Sequence, residues 1–576
     1  MRISQPIDSR PELIEPDVIP PQSNWRDLDP HPLVAAILYR RGLRTAADVA
    51  AFMEPARQPT PDPYRIPNMQ DAVERVVLAV QREERIGIFG DYDADGITST
   101  TILTLALRSS LVPDRVIPRL PDRTEGYGLN DTAIEEFRDA GVSLVIAVDC
   151  GSTDHQSAAV IAGQGMDLVI LDHHHMRDDG PPTAITVSPQ LGDDPAWHVL
   201  TAAGVTWLLV AAMAARGIAV TDGDPADASS LLDLVALGTV ADVAPLTGAN
   251  RNLVARGIER MRTAPRTGVA ALIEAAGLKS SSISATNLSF ALAPRINAAG
   301  RMGSPRLTFD LLTTDSPVEA RRLAQELEQV NIRRRSRSSQ VHAEAWEAIV
   351  RQPGWQARPV VAVQHPGWES GLVGAVASRL VEEVRRPVLL FREEDGVLWG
   401  SARSVEGINL VETLQSVESL MIRFGGHSLA AGLSLVAGNL PALEAHLADT
   451  MRSAGVTVPA PRHLRIDATL PSDYLTLETV RELGRMEPFG RGNEQPVLWV
   501  KRAELLRYTV LGQDRSHLKI FARAGNRQVE AIFWGAAERS RDLVGCRTID
   551  LIGRLEINSW NGQERPQMVL DEFRAS

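Results

Sequence analysis

The stretch that decides the fold is "RIGIFGDYDADGIT", residues 85–98, in which an apolar segment precedes an aspartate at every second position and a glycine. Carboxylates this close together repel one another unless a cation lies among them. The pattern begins like the calcium loop of an EF-hand, whose twelfth position is a bidentate Glu. Here that position is Ile102, and the residues before Asp91 are typical of a strand rather than of an entering helix. The stretch therefore predicts a strand that leads into a different kind of metal site.

Similar apolar segments, separated by helical patterns, recur as far as about residue 187: "RVIPRL", "SLVIAVDCG", "MDLVILDHHH" and "AITVS". Continuous apolar strands that alternate with helices are typical of a parallel sheet covered on both faces. Ligands of such sheets bind beyond the carboxyl ends of the strands. We therefore expect an α/β domain with its site at that edge.

Acidic and imidazole side chains follow three of these strands and one helical run. In chain order they are Asp91, Asp93, Asp95, Asp149, Asp172, His173, His174 and Asp242. Single aspartates at such positions often serve only as turn or cap residues. A mixed Asp and His set of this density favours Mn²⁺ or Mg²⁺, and two ions suit so many ligands. Paired ions are typical of phosphoester hydrolysis.

Length and composition set the outer limits. The 576 residues are enough for several domains, and the two cysteines, Cys150 and Cys546, exclude a Cys-type zinc site. The longest apolar run, "VTWLLVAAMAA", ends at Arg216 and is too short to span a membrane. With no signal segment at the start, we expect a cytoplasmic protein. The net charge of −12 does not exclude a nucleic-acid partner, because phosphate binds to local patches.

Proline-rich segments punctuate the chain and divide it into five parts. We predict an N-terminal helical arm (1–75), a catalytic domain (76–250), a long helical connector (251–352), a second α/β domain (353–457) and a C-terminal domain (458–576). The last part alternates like antiparallel strands and predicts a small OB-type β-barrel. In the connector, "RRRSR" (Arg333–Arg337) is either a solvated helix face or a phosphate-contacting ridge.

Four motifs in this order, "GDYDADG", "VDCG", "DHH" and "GTVADVAPL", resemble the DHH phosphoesterase superfamily. Five more, "EGYGL", "APRINAAGRMGSP", "GSARS", "RFGGHSLAAGL" and "EPFGRGNEQP", resemble the RecJ family within it. The resemblance covers the chain from about Trp25 to its end. It implies a DHH catalytic domain, a DHH-associated domain that closes over the cleft, and an OB-fold that binds nucleic acid.

The resemblance also implies an activity. RecJ-like proteins are 5′→3′ exonucleases that degrade single-stranded DNA to mononucleotides, require Mn²⁺ or Mg²⁺, and work in DNA repair and recombination. It further implies a substrate with a free 5′ end, a monomer, and partners such as a helicase and single-strand-binding protein. Whether a terminal 5′-phosphate is required stays open.

Residue by residue, the family's metal ligands match Asp93, Asp95, Asp149, His173 and Asp242, with Asp149 as the expected bridge between two ions. Asp91, Asp172 and His174 match the same motifs and receive supporting catalytic roles, such as orienting ligands or contacting the scissile phosphate. The expected substrate contacts are Arg123, Arg295, Asn297, Arg301, Ser401, Arg403, Gly426 and His427. For each arginine alone, a surface ion pair is the alternative. Three aromatic residues of the barrel either stack on bases or belong to its core: Phe521, Phe533 and Trp534.

The sequence departs from the pattern in three places. Phe89 stands where several superfamily members have a metal-ligating histidine, which questions the occupancy of one site. Glu369 replaces the usual histidine after Trp368, and the spacing before "EGYG" leaves Arg119 and Arg123 as rival substrate contacts.

Two other functions stay open at this point. One is a DHH phosphoesterase that acts on short oligonucleotides or cyclic dinucleotides, although such relatives usually lack a barrel. The other is a non-catalytic DNA-binding relative, which would be expected to have lost motif carboxylates that are all present here.

Overall fold

The structure is a computed structural model that describes residues 10–176, 180–221, 227–457, 459–560 and 562–575. The chain forms two compact units. The parallel-sheet unit comprises Ala51–Arg334 and Met486–Glu494, and the barrel unit comprises Met1–Ala50, Arg335–Arg485 and Gln495–Ser576. Among the described residues, no helix combines the length and apolarity needed to cross a membrane.

The α-helices of the described residues are α1 (Pro32–Arg40), α2 (Ala46–Met53), α3 (Met69–Gln81), α4 (Ala94–Arg108), α5 (Asp131–Asp139), α6 (His155–Gly163), α7 (Ala202–Ala215), α8 (Leu232–Ala241), α9 (Gly248–Thr263), α10 (Thr267–Ala275), α11 (Ala285–Asn287), α12 (Ala293–Met302), α13 (Arg306–Thr313), α14 (Pro317–Arg351), α15 (Ser370–Val384), α16 (Leu410–Gln415), α17 (Leu440–Ser453) and α18 (Leu477–Gly484).

The β-strands are β1 (Glu12–Ile14), β2 (Ile86–Gly90), β3 (Val116–Arg119), β4 (Leu144–Val148), β5 (Asp167–Leu171), β6 (Ile185–Val187), β7 (Val361–Gln364), β8 (Val388–Glu394), β9 (Val397–Arg403), β10 (Met421–His427), β11 (Ala430–Val436), β12 (His463–Arg465), β13 (Ala468–Thr469), β14 (Leu498–Leu511), β15 (His517–Ala524), β16 (Arg527–Phe533), β17 (Thr548–Trp560) and β18 (Gln563–Ala575).

The parallel-sheet unit contains a five-stranded sheet in the order β3-β2-β4-β5-β6, and every neighbouring pair is parallel. Side chains of a strand alternate between the two faces. Ile86 and Ile88 of β2 accordingly pack in the larger core, whereas Phe89 packs in a second core on the other face. Both faces are covered, which explains the continuous apolar strands and confirms the predicted parallel sheet.

Strands β2, β4 and β5 end next to one another, and the loops that follow them carry the motif residues. After β2, the chain turns directly into α4, with Asp93 as its N-cap: Asp93 Oδ1 accepts hydrogen bonds from the backbone N–H groups of Asp95 (2.9 Å) and Gly96 (3.1 Å). A Cβ atom at Gly96 would lie 2.5–2.7 Å from backbone atoms of Asp91. The glycine is thus required for the close turn.

The barrel unit contains two larger sheets. One is a five-stranded sheet in the order β10-β11-β9-β8-β7, in which only the β7 and β8 pair is parallel. In the other, β14, β15, β16, β18 and β17 form a ring that the β14 and β17 pairing closes. Closure removes the exposed edges of an open sheet. The predicted C-terminal barrel is therefore confirmed.

Candidate active site

Two overlapping groups of side chains at the carboxyl edge of the parallel sheet can each hold a metal ion. Asp91, Asp93 and Asp149 form one group, and Asp149, His173 and His174 form the other. Within each group, the ligand atoms lie within 4.8 Å of one another. Asp149 belongs to both groups, as expected for a bridging carboxylate. Its backbone has a φ of 62°, a left-handed conformation that Asp and Asn tolerate better than most residues.

The other two predicted ligands, Asp95 and Asp242, lie in neither of the groups found among the described residues. The Asp95 carboxylate accepts hydrogen bonds from the N–H groups of Ala202 (2.8 Å) and Ala203 (3.1 Å) at the start of α7, and lies 3.8 Å from His173 Nε2. Asp242 follows α8 as its C-cap. Weakened hydration and the charge of Asp93 raise the pKa of Asp242 to about 7, which indicates that the two carboxylates face the same cleft.

A hydrogen-bonded pair, Asp172 and His174, stands beside these groups. His174 Nδ1 lies 2.8 Å from Asp172 Oδ1, and the same carboxylate accepts hydrogen bonds from three N–H groups, those of Ser152, His173 and His174. Burial lowers the pKa of His174, but the hydrogen bond and the charge of Asp172 outweigh it and raise that pKa to about 9. Burial likewise raises the pKa of Asp172, yet His174 holds it below the ordinary value. In the absence of a metal ion, each partner thus favours the charged form of the other.

Tyr127 is a site residue that the sequence reasoning did not select. Its hydroxyl donates to the carbonyl of Asp149 (3.2 Å) and lies 3.1 Å from His174 Nδ1. The sequence does mark this residue, because Tyr127 lies in the "EGYGL" motif. The contacts indicate that Tyr127 orients both the bridging aspartate and the imidazole.

The acidic groups fit a cation. Burial and the charge of Asp93 raise the pKa of Asp91 to about 8, and burial and the charges of Asp95 and Asp93 raise the pKa of Asp149 well above its ordinary value. Asp91 Oδ1 is buried and accepts no hydrogen bond from the described residues. A buried, unpaired carboxylate oxygen among like charges is the environment that a divalent ion stabilises. Carboxylate and imidazole donors suit Mn²⁺ or Mg²⁺.

Phe89 is fully buried in the second core of the sheet, on the face opposite Ile88. It contributes no ligand, as the sequence indicated. Asp91, two residues further on, supplies a carboxylate to the group that contains Asp93 and Asp149. The geometry thus supports Asp91 as a candidate ligand in addition to the supporting role predicted for it.

The predicted substrate arginines of this unit differ in their surroundings. Arg119 is bound to Glu125 (2.6 Å) and Glu136 (2.9 Å). Arg123, its rival, lies over the Tyr92 ring, with the guanidinium carbon 4.1 Å from the ring centroid, and donates to the carbonyl of Gly300 (3.2 Å). The ion pairs of Arg119 leave Arg123 as the better candidate for a substrate contact.

The "APRINAAGR" helix, α12, places its three candidates differently. Arg295 forms an ion pair with Glu328 (2.5 Å), which is the alternative considered for each arginine. Asn297 Oδ1 accepts a hydrogen bond from the N–H of Ala94 (3.0 Å) and so holds the start of α4. Burial raises the pKa of Tyr92, and the charges of Arg123 and Arg301 oppose this rise. Arg301 therefore also lies near the loop that contains Asp91, Tyr92 and Asp93, here called the metal loop.

The four candidates of the barrel unit lie at one end of its five-stranded sheet. Ala430 of β11 pairs with His427 of β10 on one side and with Arg403 of β9 on the other. Arg403 donates to the hydroxyls of Ser401 (2.6 Å) and Ser378 (2.9 Å), and no described carboxylate lies within ion-pair distance of it. Gly426 has a φ of 148°, and a Cβ there would meet the Ala430 carbonyl at 2.2 Å. The end of this sheet thus offers a cation, a hydroxyl and a close-lying backbone.

Glu369 has a structural partner: its carboxylate accepts hydrogen bonds from Arg337 Nε (2.9 and 3.0 Å). Arg334 of the "RRRSR" run donates to Asn331 Oδ1 (2.9 Å), so two arginines of the run are engaged within the protein. In the barrel, Phe533 packs edge-to-face on Phe573, whereas Trp534 is 57% exposed. Two cations lie over the Phe521 ring: the guanidinium carbon of Arg507 is 4.0 Å, and Lys519 Nζ 5.1 Å, from the ring centroid. Trp534 and Phe521 are the two that can reach a nucleic-acid base.

Comparisons with known proteins match this architecture. Three family models match: "DHH family, N-terminal domain" over residues 85–239, "DHHA1 domain" over 357–453 and "RecJ OB domain" over 466–572. The single-stranded-DNA-specific exonuclease RecJ of Bacillus subtilis is 34% identical over 98% of this chain and 71% of its own length. RecJ of Thermus thermophilus is 33% identical over 94% of this chain and 76% of its own length.

The chain belongs to the RecJ family.

The crystal structure of Thermus RecJ with Mn²⁺ superimposes with a TM-score of 0.82 and 29% identity, over 98% of this chain and 80% of that one. The structure of the same protein with Mg²⁺ gives a TM-score of 0.76 and 28% identity, over 98% and 79%. The predicted fold of a RecJ chain, with its DHH, DHH-associated and OB domains, is thereby confirmed. The prediction of Mn²⁺ or Mg²⁺ as cofactor is confirmed as well, since this RecJ chain has a cluster suited to either ion.

Proposed function

We propose that this RecJ-family chain is a single-stranded-DNA-specific exonuclease that removes mononucleotides in the 5′→3′ direction during DNA repair and recombination. The observation that carries the proposal is the pair of overlapping ligand groups that share Asp149. Two ions held by one bridging carboxylate suit phosphodiester hydrolysis better than a single ion does. The predicted ligands and the domain boundaries given above are part of this proposal.

The residues of the site have three different proposed roles. Asp91, Asp93, Asp149 and His173 would hold the ions, with Asp95 and Asp242 completing the set. When bound, divalent ions activate water and neutralise charge on the phosphate. Asp172 orients His174 through a hydrogen bond of 2.8 Å, so we assign His174 a contact with the scissile phosphate rather than a place among the metal ligands. Tyr127 keeps that imidazole and Asp149 in place.

Recognition of the DNA end is assigned to the sheet end of the barrel unit that carries Ser401, Arg403, Gly426 and His427. Supporting this, Arg403 has hydroxyl rather than carboxylate partners. Burial lowers its pKa, because a buried guanidinium without a counter-ion is costly; a phosphate would relieve that cost. A terminal 5′-phosphate is the group that we assign to it.

The DNA chain beyond the end is assigned to the barrel, where two cations lie near the Phe521 ring and Trp534 is exposed. Stacking of bases on such side chains is tolerant of sequence. An enzyme restricted to single strands depends on proteins that expose and cover them, so we propose a helicase and single-strand-binding protein as partners. We further propose that the chain acts as a monomer in the cytoplasm.

The decisive assay uses the purified chain, Mn²⁺ and a single-stranded oligonucleotide labelled at either end, with and without a 5′-phosphate. We expect mononucleotides from the 5′ end and no attack on a duplex. Release from the 3′ end, or a preference for duplex, would refute the proposal. Turnover of cyclic dinucleotides alone would favour the other DHH phosphoesterases.

Two variants assign the activity to the site. Asp149→Asn preserves the left-handed backbone, because Asn tolerates that conformation, and is expected to abolish turnover without unfolding the chain. Asp139→Asn makes the same chemical change at an exposed position of α5 and should keep full activity. Retained activity in Asp149→Asn would remove Asp149 from the bridging role.

A further inference from the structure

A short segment of the chain, Met486–Glu494, belongs to the parallel-sheet unit, although the residues on either side of it belong to the barrel unit. It contains most of the motif "EPFGRGNEQP", to which the proposed mechanism gives no role. The segment pairs with the loop after α8, which begins at the candidate ligand Asp242: the N–H of Leu246 donates to the carbonyl of Arg491 (2.7 Å). The segment therefore lies against the loop that leaves the metal site.

Buried side chains fix the backbone of this segment. Arg251 of α9 donates to the carbonyls of Met486 (2.9 Å), Glu487 (3.0 Å) and Pro488 (3.1 Å). Asn493 donates to two of the same carbonyls, those of Met486 (2.9 Å) and Pro488 (2.8 Å). Since every one of these bonds involves the main chain of the segment, the side chain of Arg491 is not needed to hold it.

The Arg491 side chain is exposed. Within the part of the chain that the structure describes, its guanidinium makes no ion pair and no hydrogen bond. The neighbouring glycines pack closely on the loop: a Cβ at Gly490 would lie 2.7 Å from Leu246, and one at Gly492 would lie 3.2 Å from Thr247. Arg491 is thus carried on a rigid, closely fitted turn, and its guanidinium is not engaged in an ion pair with any described residue.

The turn that carries Arg491 lies beside the cleft. The glycines on either side of Arg491 pack on Pro245, Leu246 and Thr247, which follow the candidate ligand Asp242 by three to five residues. Among the described residues, Arg491 is therefore an exposed cation next to the loop that starts at this carboxylate, and it forms no ion pair with it. Asp242 itself is exposed to solvent. A guanidinium held beside an open acidic metal site is placed to meet the anion that binds there.

We propose that Arg491 binds a backbone phosphate of the single-stranded DNA next to the metal site, and so takes part in positioning the strand. The inference rests on the proposed function, because it presumes a nucleic-acid substrate. The planar fork of Arg suits two phosphate oxygens at once. The rigid turn lowers the entropy lost when the contact forms. Arg491 thereby contributes to substrate affinity rather than to the chemical step.

The test measures binding of a fluorescent single-stranded oligonucleotide in the Asp149→Asn background, where the strand is not cleaved, over a range of salt concentrations. Loss of one phosphate contact reduces the slope of the logarithm of the association constant against the logarithm of the salt concentration by about 0.7 for single strands. We expect Arg491→Gln to show that reduction and on the order of tenfold weaker binding at low salt. Arg491→Lys, which keeps the charge, should retain the slope. Arg321→Gln, a matched change at an exposed arginine of α14, should leave both quantities unchanged.

A slope in Arg491→Gln equal to that of the background chain would overturn the inference. An effect limited to the metal would also overturn it. If Arg491→Gln in the otherwise unaltered chain changes only the Mn²⁺ concentration needed for activity, then Arg491 merely balances the charge of Asp242. Failure of the proposed function looks different, because the unaltered chain would then neither bind nor degrade single strands. Arg491→Gln and the background chain should have the same Tm, which excludes unfolding as the cause.

Discussion

The packing of α12 on the metal loop predicts a strong effect from the smallest possible substitution, Gly300→Ala. A Cβ atom at Gly300 would lie 2.2 Å from the carbonyl oxygen of Tyr92, the residue between Asp91 and Asp93. Ordinary contacts begin near 3.4 Å, so helix and loop must separate by about 1 Å. The neighbouring atom is backbone and cannot rotate away. The displacement therefore reaches two candidate metal ligands directly.

The expected loss can be bounded. A shift of about 1 Å in a catalytic group costs on the order of 100-fold in rate. Overpacking adds about 1–3 kcal/mol of destabilisation, against a gain of up to about 1 kcal/mol from replacing a helical Gly by Ala. We expect kcat to fall about 100-fold and Tm to fall by several degrees, measured by release of mononucleotides and by thermal unfolding.

Gly163→Ala is the matched control. Gly163 is the last residue of α6 in the same unit, and nothing lies within 4 Å of its added Cβ. This variant should keep full activity and a Tm equal to or slightly above that of the unaltered chain. If Gly300→Ala also kept activity within about twofold, a difference of less than about 0.5 kcal/mol in the barrier, the close contact between α12 and the loop would not be what positions the ligands.

Two further predictions follow from other contacts. Arg403→Gln should abolish the preference for a 5′-phosphorylated oligonucleotide, a loss on the order of tenfold or more in kcat/KM. Arg392→Gln, which changes an ion-paired arginine on β8 of the same sheet, should keep that preference. If the ratio of kcat/KM with and without the 5′-phosphate were equal in the two variants, the end-binding role would be refuted. Burial raises the pKa of Glu84, but hydrogen bonds from Arg75 and Ser143 hold it below its ordinary value. The contribution of Glu84 to stability is thus present above the unfolded pKa of about 4.3 and is lost as the pH falls. Glu84→Gln should therefore reduce the fall of Tm at acidic pH. A fall of Tm equal to that of the unaltered chain would refute this prediction.

The sequence predicts much of the sheet edge that carries the candidate ligands, because the placement of a side chain along its own strand is local. Alternation along β2 places Phe89 in a core, and the short connection to α4 then places Asp91, Asp93 and Asp95 at the strand end. The order of the parallel strands brings Asp149 and His173 to the same edge. Strand patterns and motif spacing contain the alternation and the turn, whereas the order of the strands is set by tertiary packing.

The sequence was not sufficient where partners are far apart along the chain. The ion pair of Arg295 with Glu328, the hydrogen bond of Asn297 to Ala94, and the pairing of Arg337 with Glu369 each depend on tertiary packing. A motif marks such a residue as important without saying what it touches. Arginines in particular look alike in a sequence, and only their neighbours separate a paired cation from one available to phosphate.

The acidic residues of the site differ in what they contribute to the stability of the fold. Asp172 is as buried as Asp149, yet it accepts several hydrogen bonds and keeps a lowered pKa, whereas burial and neighbouring charges raise the pKa of Asp149. A carboxyl whose pKa is raised by folding destabilises the folded state at every pH above its unfolded pKa. Asp149 therefore opposes folding at neutral pH unless a cation is bound.

That reasoning predicts opposite effects of one substitution with and without metal. In EDTA, Asp149→Asn should unfold at a higher temperature than the unaltered chain, because a repelled charge has been removed. At a Mn²⁺ concentration of about 100 times Kd, the unaltered chain should gain about 2.7 kcal/mol, equivalent to about 5–10 °C in Tm for a unit of this size, while Asp149→Asn gains little. Asp139→Asn should respond to Mn²⁺ like the unaltered chain. A lower Tm for Asp149→Asn in EDTA would show that the Asp149 carboxylate stabilises the metal-free fold, which would contradict the reasoning that this charge destabilises the chain until a cation binds.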